Sequence, residues 1–233
     1  MIAIFDLDET LIHGDCVTLW CQWLCEQGLV DDIDTFLQEE IRLLDAYQAK
    51  TLDQQDCMHH VFAPITQLPI QEVQTLVAQF VHDKIQPIVY QASVRLIQEH
   101  YDNDDDVIII SASPRIFVAE IARTCFHVAK SFGIEVTEEN GCYTGKVQGL
   151  IPYQAGKVDV FKAYLVQHHI DVNIALQHSY FYSDSSNDLP LLELVAYPNV
   201  VNPDESLRTI AETNDWPVLQ FTKLLPNNIK VRI

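Results

Sequence analysis

Residues 2–10 read Ile2-Ala3-Ile4-Phe5-Asp6-Leu7-Asp8-Glu9-Thr10, four apolar positions that hand over at once to acids and a hydroxyl. So short an uninterrupted apolar run fits a strand buried on both faces of a parallel sheet, with its polar groups at the carboxyl end. Asp6 and Asp8 are two positions apart, so in extended geometry they leave the same side of the backbone and can face one site. Two later runs repeat the pattern: Val107 to Ile110 precedes Ser111, and Ser179 to Tyr182 precedes Ser183 and Asp184. Three such strands predict a parallel sheet with a site at its carboxyl edge.

Between the strands, Val94 to His100, Pro114 to Phe126 and Lys157 to His169 read as helices, with Pro114 in a first helical turn. This alternation predicts an α/β, doubly wound core. Ile134 to Gly149 reads as a β-hairpin turning at Asn140-Gly141. The stretch from Gly14 to Pro87 breaks the alternation, because Val17 to Gln27, Ile33 to Tyr47, Gln54 to Phe62 and Gln71 to Lys84 all look helical with no strand between them. The expected organisation is a discontinuous core domain of residues 1–13 and 88–233, with residues 14–87 forming a small helical cap domain over the carboxyl edge.

The chain has 233 residues, enough for a full core, and is 48% hydrophobic and 20% charged. No stretch approaches the roughly 18 apolar residues of a membrane-spanning helix. Met1 to Phe5 run straight into Asp6, which leaves no signal-peptide pattern. Cys16, Cys21, Cys25, Cys57, Cys125 and Cys142 are scattered without a CxxC pair and fit reduced thiols, so a cytoplasmic protein is expected. A net charge of −19 repels phosphate backbones and anionic lipids, which argues against nucleic-acid and membrane partners. It does not exclude a small phosphorylated substrate, since a bound cation can reverse the local field. A monomer or homodimer is expected.

Ser111 ends the second strand, Lys157 opens a helix after Gly156, and Asp184 and Asp188 follow the third strand. With Asp6 and Asp8, four segments bring polar groups to one edge. Chemistry at phosphorus explains the set: a carboxylate nucleophile, a hydroxyl and a lysine for non-bridging oxygens, and further carboxylates for an oxygen-loving cation. Four carboxylates so close cannot all ionise uncompensated, so Mg²⁺ and Lys157 are required, and the acidic neighbours of Asp8 are expected to raise its proton affinity.

Asp6-Leu-Asp8-Glu-Thr10, Ser111, Lys157 and Asp184-Ser-Ser-Asn-Asp188 resemble, in order, the four motifs of the haloacid dehalogenase superfamily, whose first is DxDxT/V. The early cap resembles the phosphoserine-phosphatase-like branch, subfamily IB, with a Rossmann-like core and a C1-type cap. The resemblance implies a Mg²⁺-dependent phosphoric monoester hydrolase working through an aspartyl-phosphate. Asp6 would attack phosphorus, and Asp8 would protonate the leaving oxygen and then deprotonate water. Asp6, Asp184 and the backbone carbonyl of Asp8 would hold Mg²⁺, with Asp188 supporting them. Thr10, Ser111, the Ala112 amide, Lys157 and Asn187 would hold the phosphoryl group.

Ser183 and Ala112 stand where many relatives carry Gly, and neither change removes a ligand. Asp15 matches the acid that receives the substrate's amino group in phosphoserine phosphatases. The cap arginine that receives its carboxylate has no counterpart in Asp56-Cys57-Met58-His59-His60, and a neutral His does not replace its fork. Asp15 and Asp56 suit instead a cationic leaving group such as histidinol phosphate offers, with His59 or else His60 lining the cap pocket. Phosphoserine, histidinol phosphate and transfer to a second acceptor all stay open. A phospho-receiver signalling module shares Mg²⁺, Asp, hydroxyl and Lys, but its acceptor Asp ends a later strand and no acid follows two residues on.

Several other features read as structural. Cys21 and Cys25 look like small core residues beside Trp20 and Leu24. His60, His168 and His169 read as surface or core residues, and Asp102 to Asp106 as a solvated turn without the EF-hand glycine and glutamate. Arg115 either touches substrate or simply opens a helix.

Overall fold

All four side chains of β1 (Ile2–Phe5) are buried, and they alternate between two apolar layers. Ile2 and Ile4 join Ile108, Ile110, Phe161 and Phe181 on one face, while Ala3 and Phe5 join Leu7, Leu11, Trp20 and Phe117 on the other. A strand covered on both faces has no solvent side to make polar, which is why its sequence shows no alternation. This is a computed structural model of the chain, and it describes residues 1–225.

The other strands are β2 (Asp106–Pro114), β3 (Lys130–Glu139), β4 (Cys142–Gln148), β5 (Ser179–Ser183), β6 (Tyr197–Val201) and β7 (Val218–Leu219). They form one sheet in the order β4-β3-β2-β1-β5-β6-β7. Every neighbouring pair is parallel except the β3–β4 hairpin. Strand order thus reverses at β1, the place where open α/β sheets leave a crevice for ligands. The fold is the doubly wound, Rossmann-like α/β arrangement that the sequence predicts.

After β1 the chain makes a helical excursion through α1 (Cys16–Glu26), α2 (Ile33–Gln48), α3 (Gln54–Phe62) and α4 (Ile70–Phe80). Asp15, Asp32 and Asp53 each accept a backbone N–H at the start of one of these helices, so the N-caps are written into the sequence. The expected helix over Gln71 to Lys84 is present: α4 runs on without a break into a wider helical turn at Val81–Ile85 and a tight one at Gln86–Ile88, which contains Pro87. The outgoing and returning strands pair at Ile12 and Val89, and the His13 N–H donates to the Ile88 carbonyl at 2.8 Å. Trp20 stands 4.9 Å from the ring of Phe117, and Gln55 exchanges hydrogen bonds with the Gly145 carbonyl and the Val147 N–H, both at 2.9 Å. The excursion is therefore fixed on one flank to the sheet and the hairpin. Gly145 permits that contact: its φ is +72°, and a Cβ there would lie 3.2 Å from the Met58 carbonyl.

The remaining helices clothe the sheet: α5 (Gln91–Asp102) and α6 (Arg115–Cys125) on the side of Phe5, and α7 (Gly156–Gln167), α8 (Val172–Gln177), α9 (Leu189–Leu192) and α10 (Glu205–Thr213) on the side of Ile4. Pro114 is not in a first helical turn; its ψ of 133° keeps it extended as the last residue of β2, paired with Ile134. The sequence reading names no strand beyond β5, because β6 carries Pro198 and Asn199, residues depleted in strands, and β7 is only two residues long. Among the described residues, no helix is long and apolar enough to cross a membrane.

Candidate active site

Phe5 is level with Ile109 on β2 and Tyr182 on β5, so the three central strands reach the same edge together. Asp6 stays in register, its N–H donating to the Tyr182 carbonyl at 2.9 Å. The chain then winds into one turn, with Leu11 N–H donating to the Leu7 carbonyl at 2.8 Å and Glu9 at φ +53°. The turn returns Asp8 over the edge, where its Oδ1 accepts from the Cys16 N–H at 2.7 Å. Its Oδ2 accepts from the Ser113 hydroxyl at 2.7 Å and the Ser111 hydroxyl at 3.3 Å. Gly133 lets β2 bulge there, since a Cβ on it would fall 2.6 Å from the Ser113 carbonyl oxygen.

Lys157 Nζ enters from α7 and donates to Asp6 Oδ1 at 2.5 Å and Asp188 Oδ2 at 2.6 Å. Burial alone would lower its pKa, but the charges of Asp188 and Asp6 more than reverse that and keep it cationic. Thr10 Oγ1 donates to Asp184 Oδ1 and accepts from the Asp184 N–H, both at 3.0 Å. Ser183 Oγ donates to Asp188 Oδ2 at 2.7 Å.

The acids are short of positive charge. Burial raises the Asp6 carboxyl to about 6, against the lowering effect of Lys157. Burial, then the charges of Asp15 and Asp6, raise Asp8 to about 7, so desolvation outweighs the acidic neighbours invoked from the sequence. Asp184 is pushed well above the usual carboxylate range by burial and by Asp6 and Asp188. An all-oxygen donor set with surplus negative charge and one already paired lysine fits a hard divalent cation such as Mg²⁺.

A cavity of about 290 Å³ opens on this edge beneath α1, α2 and α3. Asp6, Asp8, Ser111, Ala112, Lys157, Asp184, Asn187 and Asp188 form its floor, and Asp15, Thr18, Glu40, Tyr47, Gln54 and Tyr153 are among its walls.

Residues 3–193 match the haloacid dehalogenase-like hydrolase family. A histidinol-phosphatase of Neisseria meningitidis is 34% identical over 94% of this chain and 98% of its own length. The chain belongs to the haloacid dehalogenase-like hydrolase family. It is a phosphoric monoester hydrolase of that family. A solved protein of unknown function from Bordetella pertussis superposes at TM-score 0.85 with 28% identity, covering 94% of this chain and 97% of that one. A phosphoserine phosphatase solved as a phospho-aspartyl intermediate analogue shares the fold at TM-score 0.65 and 14% identity, covering 96% of this chain and 94% of its own.

The structure places Thr10, Asp56 and His59 differently from the expectation. Thr10 is fully buried and spends its hydroxyl on Asp184, outside the cavity lining. His59 and Asp56 are exposed and absent from the lining. Helix α3 turns about 100° per residue, so with Gln54 and Cys57 facing the cavity, His59 falls on the far side. Of the two expectations for Arg115, the helix start holds: it opens α6, donates to the Ser131 carbonyl at 3.3 Å and is absent from this cavity's lining. Cys21 is buried as expected, but its thiol gathers with Glu40 and His60, their ligand atoms within 4.8 Å of one another. Ser113, Glu40 and Tyr47 also line the cavity, beyond the residues the sequence motifs name. Ser113 had a local signal, two positions after Ser111 in the same strand, while the other two sit in an ordinary amphipathic helix.

Proposed function

We propose that the enzyme hydrolyses the phosphate monoester of a small cationic alcohol, histidinol phosphate foremost, through an aspartyl-phosphate on Asp6. The observation that carries the chemistry is Lys157 bridging Asp6 and Asp188 beside Asp8 and Asp184 at one buried edge. An Asp6 carboxylate oxygen attacks phosphorus as the ester P–O bond breaks, and Asp8 gives its proton to the departing alkoxide. Asp8 then takes a proton from water, whose oxygen attacks phosphorus and releases phosphate and free Asp6. A carboxyl value near 7 suits Asp8 to both duties. Ser111, the Ala112 amide, Lys157 and Asn187 bind the non-bridging oxygens. Asp6, Asp184, the Asp8 carbonyl and Asp188 would hold Mg²⁺, which supplies positive charge against the developing negative charge on the phosphoryl group. Thr10 acts on Asp184 and not on phosphate.

Residues 14–87 serve as the cap that closes the leaving-group end. Its walls support the substrate class: Asp15 and Glu40 are acidic, and among the described residues of the lining the one basic side chain is Lys157, committed to two carboxylates. Among the described residues, no arginine lines the cavity to take the carboxylate of phosphoserine, and Lys50 at its rim turns to the Ser186 carbonyl at 3.4 Å. The likeness to the Neisseria histidinol-phosphatase points the same way. The six free cysteines support a reducing compartment, the cytoplasm.

A panel of phosphomonoesters with Asp6→Asn as blank tests the reading. Histidinol phosphate should be preferred to phosphoserine, EDTA should abolish turnover, and added Mg²⁺ should restore it. Asp6→Asn should be inactive and Asp8→Asn slow in both steps. Preference for phosphoserine would refute the substrate, full activity in EDTA the metal, and wild-type turnover by Asp6→Asn the covalent route. Product on an added alcohol acceptor would make the enzyme a transferase.

A further inference from the structure

The cap wall holds one carboxylate that no motif of the family requires. Glu40, on α2, is 7% exposed yet lines the cavity. Its Oε1 accepts from the Thr18 hydroxyl at 3.0 Å. His60 Nε2, itself buried, lies 3.2 Å from Oε2 without the alignment of a hydrogen bond. The Cys21 thiol completes the cluster. An acid so deeply desolvated costs several kcal/mol unless its charge has a use or a partner.

We propose that Glu40 is the anionic half of a leaving-group subsite that takes a protonated nitrogen, an imidazolium or ammonium, with the rings of Tyr47 and Tyr153 as its aromatic walls. This rests on the phosphatase reading above and adds the residue that selects the substrate. Tyr47 and Tyr153 stand 5.7 Å apart, ring to ring, and both line the cavity with Glu40. A cation between a carboxylate and aromatic faces gains from both, and more so out of water.

Asp15, the acid the family pattern suggests, is less suited. Its Oδ1 accepts the Thr18 N–H at 2.7 Å as the cap of α1, and burial raises its pKa above the ordinary carboxylate value. For Glu40, burial alone would raise the pKa, but His60, Cys21 and Thr18 more than offset it and leave the carboxyl below the ordinary glutamate value. The neighbouring thiol of Cys21 is driven well above its usual value by burial and by Glu40, so it stays protonated and brings no charge to the cluster.

The test compares kcat/KM for histidinol phosphate and for phenyl phosphate, which carries no cation, in the wild type, Glu40→Gln, Glu40→Asp and Asp15→Asn, all with Mg²⁺. The ratio of the two cancels any general loss of activity. In Glu40→Gln the ratio should fall by roughly 10- to 100-fold, and inhibition by free histidinol should weaken in parallel. Glu40→Asp, which keeps the charge on a shorter arm, should fall less and decides the matter should the Gln protein not fold. A ratio unchanged in both Glu40 variants, or lowered only in Asp15→Asn, overturns the proposal. So does one equivalent of zinc bound by the Mg²⁺-free protein and lost in Cys21→Ser, since Glu40 would then be a metal ligand. Failure of the wild type to cleave either ester would instead sink the phosphatase reading.

Discussion

Lys157 Nζ lies 2.5 Å from Asp6 Oδ1, although the two residues are 151 positions apart and reach the site on α7 and at the end of β1. Both are buried, so the ammonium offsets part of the burial that raises the Asp6 carboxyl. The same nitrogen reaches Asp188, and the three groups form one charge unit with a net negative surplus. In the resting enzyme the lysine thus serves the carboxylates, and in the mechanism proposed above it also meets the oxygens of the incoming phosphoryl group.

Replacing Lys157 by Met should therefore do two things. Removing one partner of a buried ion pair typically costs about 3–5 kcal/mol, so the metal-free protein should unfold well below the wild type, with part of the loss recovered on adding Mg²⁺. Turnover at saturating Mg²⁺ should drop by about 10²-fold or more. Thermal unfolding with and without Mg²⁺, alongside steady-state rates, checks both; an unchanged melting temperature would contradict the bridge.

Metal-free enzyme should also lose stability as pH rises. The Asp6 and Asp8 carboxyls sit near 6 and 7 against an ordinary 3.8, and Asp184 is raised as well. The folded state then keeps protons that the unfolded chain has released. This contribution is fully present below the unfolded value and disappears as pH climbs through the folded ones, from about 4 to 7. Between pH 5 and pH 8 the loss should be about 2 kcal/mol or more, roughly 4–8 °C in Tm for a chain of this size, and Mg²⁺ should flatten the curve. A melting temperature in EDTA that climbs over this range would count against the assignment.

Thr10 provides a separate handle on the metal. Its hydroxyl both donates to and accepts from Asp184, at 3.0 Å each way, so it orients the carboxylate. Thr10→Val should raise the Mg²⁺ concentration for half-maximal activity by about 10- to 100-fold, with a smaller change at saturation, while Thr10→Ser stays near wild type. A Mg²⁺ titration of activity reads the difference. A Val variant with wild-type Mg²⁺ dependence and altered phosphate inhibition would return Thr10 to the phosphate site.

What the chain announces locally was readable, and what it assembles from distant parts was not. The run Ile2 to Phe5 reveals a buried strand because both its faces must be apolar, and α3 spans Gln54–Phe62 as read because its cap and periodicity are local. The floor of the site was legible because chemistry at phosphorus demands particular residue types at strand ends. Glu40 was not, since beside Glu39 it looks like any solvated helix acid until Thr18 and His60 fold against it. His59 lies outside the pocket expected for it because one residue, about 100° of helix, separates the exposed His59 from the partly buried His60, and flanking residues do not fix that phase.

Ser113 offers the sharpest check on the role of Asp8. Its hydroxyl donates to Asp8 Oδ2 at 2.7 Å and favours the ionised form, working against the burial that raises this carboxyl to about 7. Ser113→Ala removes a hydrogen bond to a charged acceptor, a change of about 1.5–3 kcal/mol in the ionised state alone. Since one pKa unit corresponds to about 1.4 kcal/mol, the Asp8 value should rise by roughly one unit or more. An acid that must be protonated to expel the alcohol then stays competent to higher pH, so the alkaline limb of the kcat/KM profile should move upward by about that amount. Were that limb to stay in place while the acid limb moved, Asp8 would be required in its ionised form from the start, and the order of its two proton transfers would have to be reversed.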